Sequence, residues 1–143
     1  MELNCSLLES VTGSWIIHVF ISAFLSILFM QSGLDKTFDF KGNLSWLKGH
    51  FADSLLGGMV PAMLGIITAV ELAAGMLCGI GALEALVYGT FCFGYAGSIA
   101  AAVALLMLFF GQRVAKDYAG AATLVSYFIL VMLHLALFSI AAP

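Results

Sequence analysis

Residues Pro61–Leu83 read PAMLGIITAVELAAGMLCGIGAL, an apolar run interrupted by a single carboxylate, Glu71. A helix rises about 1.5 Å per residue, so a run of this length crosses a hydrocarbon layer about 30 Å thick. Three more stretches meet the same requirement: 13–33 (GSWIIHVFISAFLSILFMQSG), 85–111 and 118–141. None alternates in the two-residue period of a barrel strand, and a helix satisfies its own backbone hydrogen bonds in lipid. The expected fold is therefore all-α: an integral membrane four-helix bundle, one domain over residues 1–143.

Composition agrees with that reading. Of the 143 residues, 63% are hydrophobic and 9% charged, against about 25% charged in an ordinary soluble domain. Mean hydropathy is +1.12. Disorder is excluded by the abundance of apolar surface. With five basic and eight acidic side chains, a net charge of −3 and no basic stripe, no nucleic-acid partner is expected. The opening MELNCSLLES holds no lysine or arginine, so the first run is expected to be retained as a span rather than removed as a secretory signal.

Basic residues set the orientation. Lys36, Lys41 and Lys48 lie between the first two runs, and Arg113 and Lys116 between the last two. These connections fall on one side of a four-span bundle, so both termini are expected on the non-cytoplasmic side. The first connection is long. Leu44, Leu47, Phe51 and Leu55 recur there at helical spacing, which predicts a short interfacial amphipathic helix over about 43–56. Trp46 would sit at headgroup depth, Asn43 would cap the helix and Gly57-Gly58 would stop it. The alternative is a loop that tucks these apolar residues against the bundle.

The polar residues inside the runs are the informative ones. A carboxyl at the position of Glu71 must be paired, protonated or wetted, which makes it a candidate functional residue with a cross-helix structural role as the alternative. His18 and Ser22 share a face of the first run, Glu71, Gly75 and Cys78 a face of the second, Tyr88, Cys92 and Tyr95 a face of the third, and Tyr127 and His134 a face of the fourth. Four such stripes are expected to converge on one interior site. Two histidines and two cysteines from four helices, without local ligand spacing, do not make an expected metal site. Haem has little room among the bulky Phe side chains, and a Cys78–Cys92 thiol pair depends on helix rotation. A quinone suits the groups better. It partitions into the bilayer, and its carbonyls take donors such as Glu71, His18, His134, Tyr95 or Tyr88. Small residues carry the helix packing: Gly75 and Gly79 are four apart, and Ala96, Gly97, Ala100, Ala101 and Ala104 form a smooth side of the third run.

The ending Ser32-Gly33-Leu34-Asp35-Lys36, and the pattern Glu71-Leu72-Ala73-Ala74-Gly75 followed by Gly79-Ile80-Gly81, resemble the DoxX-like family of small four-helix membrane proteins. The resemblance runs from about Trp15 to Phe138, and Gly33, Lys36, Glu71, Gly75 and Gly81 carry over by position. The chain departs from the family in having His18 where members often carry an arginine, and Glu84 where many carry a basic residue. The family is functionally mixed and takes its name from a subunit of a thiosulfate:quinone oxidoreductase, so the resemblance implies a membrane subunit of an oxidoreductase or respiratory-type complex with other membrane subunits as partners. It also leaves open a non-enzymatic assembly factor or a scaffold subunit. The expected location is a bacterial inner membrane.

Overall fold

A computed structural model describes residues 14–141. Five helices follow one another: α1 (Ser14–Phe38), α2 (Phe40–His50), α3 (Val60–Tyr88), α4 (Cys92–Val114) and α5 (Tyr118–Ala141), with a short 3-10 turn over Gly57–Met59 leading into α3. No strand occurs among the described residues. Four of the helices are long and apolar enough to cross a membrane, and α2 is the short one after the first span. The protein is an all-α, multi-pass membrane bundle.

Its apolar surface faces both ways. Leu25, Phe29, Ala74, Ala101, Leu105 and Val131 are buried in the middle of the bundle, while Phe20, Ile27, Phe110 and Leu133 point outward. Outward-facing apolar side chains are what lipid requires of a span. Helix α3 is the centre of the bundle, packed against α1 on one side and α4 on the other, while α5 leans mainly on α4 and meets α1 through side chains.

Small residues permit those close crossings. A β-carbon on Gly75 would lie 2.7 Å from Met30 Cγ and 2.8 Å from the Met30 backbone nitrogen, so α1 and α3 approach to backbone contact there. On the other side of α3, a β-carbon on Gly81 would lie 2.5 Å from Gly94 Cα. Gly33 faces Leu72 and Gly79 faces Ser26 on the α1–α3 seam. Each is a position where a larger residue would push two helices apart.

Several boundaries differ from the sequence expectation. Helix α1 does not end near Gly33 but continues to Phe38, which places Lys36 on a helix rather than in a loop. The short helix begins at Phe40 and ends at His50, not over 43–56. Asp39, not Asn43, caps it, its carboxylate accepting from the Gly42 N–H at 3.1 Å. Asn43 lies inside α2, its amide donating to the Asp39 carbonyl. Gly57-Gly58 opens the 3-10 turn before α3 instead of stopping α2. Backbone N–H groups at a helix start need acceptors, and the first carboxylate in position supplies them.

The same physics moves the second connection. Glu84 looks like a loop residue because it is charged, yet α3 runs past it to Tyr88 and ends at Gly89, which adopts the left-handed conformation at φ 67°. The Glu84 side chain then reaches across the turn, accepting from the Phe93 N–H at 2.8 Å, the Cys92 N–H at 3.2 Å and the Thr90 hydroxyl at 2.8 Å. It is the N-terminal cap of α4, where a negative charge also faces the positive end of the helix dipole. Asp117 does the same for α5 through the Gly120 N–H at 2.8 Å.

Candidate functional site

The polar residues gather into two clusters, not one. The inner cluster joins α1 to α3. Glu71 is fully buried, and its Oε1 accepts from the Ser32 hydroxyl at 3.0 Å. Its Oε2 takes no aligned hydrogen bond but lies 2.8 Å from the Lys36 ammonium. Lys36 in turn donates to Ser32 Oγ at 2.7 Å and to the Ser32 carbonyl at 3.2 Å. Ser32 and Lys36 are one helical turn apart and therefore share a face. The carboxylate that sequence left to be paired, protonated or wetted is thus paired. The ammonium thus makes two hydrogen bonds to Ser32 and an ion pair to Glu71, the Ser32 carbonyl being the most distant of the three oxygens.

The outer cluster joins α1, α4 and α5. His18 Nδ1 lies 3.0 Å from His134 Nε2, and His134 Nδ1 lies 2.8 Å from Ser98 Oγ. Ser98 Oγ also lies 2.9 Å from the Gly94 carbonyl. The hydroxyl has one proton and a carbonyl can only accept, so Ser98 donates to Gly94 and His134 Nδ1–H donates to Ser98. That assignment, made from the network, leaves His134 Nε2 an acceptor and makes His18 Nδ1 the donor. The direction of the whole chain follows from its last carbonyl. Phe91 and Phe138 pack on His18 with ring centroids at 4.4 and 4.5 Å, and both histidines are sealed from solvent.

Ser32 follows His18 by fourteen positions along α1, or about 21 Å of helix. Leu25 and Phe29, both buried, occupy the same face between them. The expected convergence of Glu71 with the histidines on one site is therefore not what the fold builds. Tyr88 is the last residue of α3, 76% exposed, and approaches neither cluster. Tyr95 packs edge-on against Phe138 at 5.3 Å, beside the outer cluster but outside its hydrogen-bond chain. Cys78 is a buried free thiol, and Cys92 is disulfide-bonded, so these two sulfurs are not a pair. No group of three or more His, Cys, Asp or Glu capable of holding a metal occurs among the described residues.

A cavity of about 280 Å³ adjoins the inner cluster. Helix α2 forms one wall through Trp46, Leu47 and His50, and the start of α3 and end of α4 form the others. The lining is overwhelmingly apolar; Lys36, Trp46, His50 and Gln112 are its members with polar side-chain atoms. Met59, Ile66 and Phe110, at its margin, are more than half exposed, so the cavity borders the lipid-facing surface. His50 stacks on Trp46 with ring centroids 4.6 Å apart and sits 3.6 Å from Asp117.

Sequence reasoning had named Lys36 only for its charge and its place in a family pattern; the signal that tied it to Ser32 was their four-residue spacing. Nothing in the sequence tied either to Glu71 in space, and nothing pointed to His50 or Asp117. Set against protein-family models, curated proteins and solved structures, the chain finds no match.

Proposed function

We propose that this protein is a membrane subunit of an oxidoreductase, and that it binds a quinone-type ring in the cavity between α2, α3 and α4. The observation that carries the proposal is the lining: an apolar chamber bordering exposed apolar side chains, with one lysine, Lys36, among its residues. A lipid-soluble ring reaches such a chamber sideways from the bilayer, and its carbonyl oxygen competes for the Lys36 N–H that makes the long contact to the Ser32 carbonyl. Glu71 neutralises Lys36 at 2.8 Å, so the chamber suits a neutral ring better than a fatty acid anion. The likeness to the DoxX-like family supports the same class of activity, with the electrons assigned to a partner subunit.

The cavity belongs to the basic side of the bundle, where Lys36, Lys41, Lys48, Arg113 and Lys116 all lie. By the positive-inside rule we assign that side to the cytoplasm and both termini to the opposite side, and we read the membrane as a bacterial inner membrane. The disulfide at Cys92, on the opposite side, fits an oxidising compartment there.

Trp46 lines the cavity and serves as the reporter. In a Trp15→Phe background, a short-chain ubiquinone quenches Trp46 fluorescence saturably. The paired variant Lys36→Met/Glu71→Gln, which leaves no charge unpartnered, weakens binding roughly tenfold, as expected for loss of a charge-assisted hydrogen bond. Quenching that rises linearly with quinone and ignores the paired variant overturns the proposal. The assembly-factor or scaffold reading then takes its place.

A further inference from the structure

His50 is the one imidazole at the cavity, and its surroundings resemble those of a working base. Its Nε2 faces Asp117 Oδ2 at 3.6 Å, slightly beyond hydrogen-bond length. A closure of a few tenths of an ångström makes the contact an N–H···O bond. Trp46 stacks on the ring face at 16° between planes, and Phe51 meets it edge-on at 5.4 Å, which together fix the ring's attitude. Asp117 is fixed in turn, because its other oxygen holds the Gly120 N–H at the start of α5. In the neutral ring, the tautomer that suits this carboxylate carries its proton on Nε2 and leaves the lone pair on Nδ1. Nδ1 has no hydrogen-bond partner among the described residues. The His50 side chain remains 22% exposed and belongs to the cavity lining.

From this geometry we infer that His50 accepts a hydroxyl of the bound ring at Nδ1, and that the cavity is built for the reduced, quinol form. This rests on the quinone-class reading given above and narrows it. Lys36 can only donate and so suits an oxygen acting as acceptor, while His50 with Nε2–H directed at Asp117 can only accept and so suits an O–H. A ring with oxygens on opposite edges, at least one of them a hydroxyl, satisfies both. Asp117 sets which nitrogen of His50 keeps the lone pair that takes this hydroxyl. Asp117 acts here as a positioning residue in the logic of a carboxylate–imidazole pair.

Equilibrium binding to the full chain tests this without any electron-transfer partner. Under anaerobic conditions, Trp46 quenching is titrated with a short-chain ubiquinone, its quinol and the quinol dimethyl ether. The expected result is that the quinol binds about fivefold more tightly than the quinone, the worth of one hydrogen bond, while the ether binds no better than the quinone. His50→Phe keeps the stack on Trp46 and removes the acceptor, so it abolishes the quinol preference and leaves the quinone Kd within about twofold. Asp117→Asn retains the cap on α5 but turns an amide N–H toward Nε2, which moves the ring proton to Nδ1 and levels or reverses the preference. A structural role for Asp117 would not alter selectivity between redox forms. Equal affinity for quinol and quinone in the native chain overturns the inference while leaving the cavity reading intact, as does a preference that survives His50→Phe. If neither form quenches saturably, the quinone reading itself fails. The quinol–ether comparison keeps every cavity residue native, needing only the Trp15→Phe reporter background, and is independent of how the His50 and Asp117 variants fold.

Discussion

A lysine–glutamate pair and a histidine–histidine pair occupy opposite ends of the same bundle, and they solve the same problem differently. Both bring polar side chains into a solvent that rejects them. At the inner end the solution is ionic: Glu71 is buried against Lys36, and Ser32 bridges the two. At the outer end it is neutral: His18, His134, Ser98 and the Gly94 carbonyl pass hydrogen bonds in one direction, under two phenylalanine rings. The ionic cluster borders a cavity and the neutral one is closed. A charge pair keeps a strong donor available to a ligand, whereas a directed neutral chain spends its donors internally and ties helices together.

The largest effect expected from breaking this contrast is at Lys36. Lys36→Met strands the Glu71 carboxylate in the core, and stability in detergent should fall by on the order of 3–5 kcal/mol, measured by reversible denaturation. Adding Glu71→Gln should restore most of that loss, because a neutral amide can still take the Ser32 hydroxyl. If the single variant is as stable as the native protein, the pair is not a buried ion pair.

The outer cluster should respond more gently. His134→Leu leaves the His18 N–H and the Ser98 oxygen without their partner but strands no charge, for a cost of about 1–3 kcal/mol in the same assay. Quinone binding at the far cavity should be unchanged, since the buried Leu25 and Phe29 layer separates the two ends. A loss of binding equal to that of the Lys36 variants would show that the ends are coupled. The double variant His18→Phe/His134→Leu removes both partners and should be milder than His134→Leu alone.

The smallest expected effect lies outside both clusters. Glu84→Ala removes the cap that joins α3 to the start of α4 and should cost about 1 kcal/mol. Hydrogen exchange at the amides of Cys92 and Phe93 should rise, while Trp46 quenching by quinone stays as in the native chain. Persistent protection of those amides would show that some other group holds them.

Much of the fold was legible before any coordinates. Four apolar runs of spanning length admit one kind of solution, and the positions of Gly75 and Glu71 within the second run mark a close crossing and a buried polar contact. What misled was charge at the ends of elements. Lys36 and Glu84 looked like loop residues because polar side chains usually mark loops. In lipid, however, a helix extends until its terminal backbone groups find partners, and charged side chains are useful inside that last turn. Lys36 is drawn in by Glu71, and Glu84 serves as the cap for the next helix. The site was legible only in fragments. Faces could be assigned within each helix, but the rotation of one helix against another could not, so a single convergent site was expected where the bundle forms two clusters.

Four helical membrane crossings follow from the order of residues alone, because the desolvation of backbone amides in lipid is a local cost that each run must meet within itself. That order also determines which side chains share a stripe, since helical periodicity is local too. Helix packing is what brings Glu71 to Lys36, joins the histidines about 20 Å away, and sets Asp117 beside the cavity residue His50. Those pairings depend on how each helix is turned about its axis and how far it slides past its neighbour, which the contacts at Gly75 and Gly81 fix to within an atom's width.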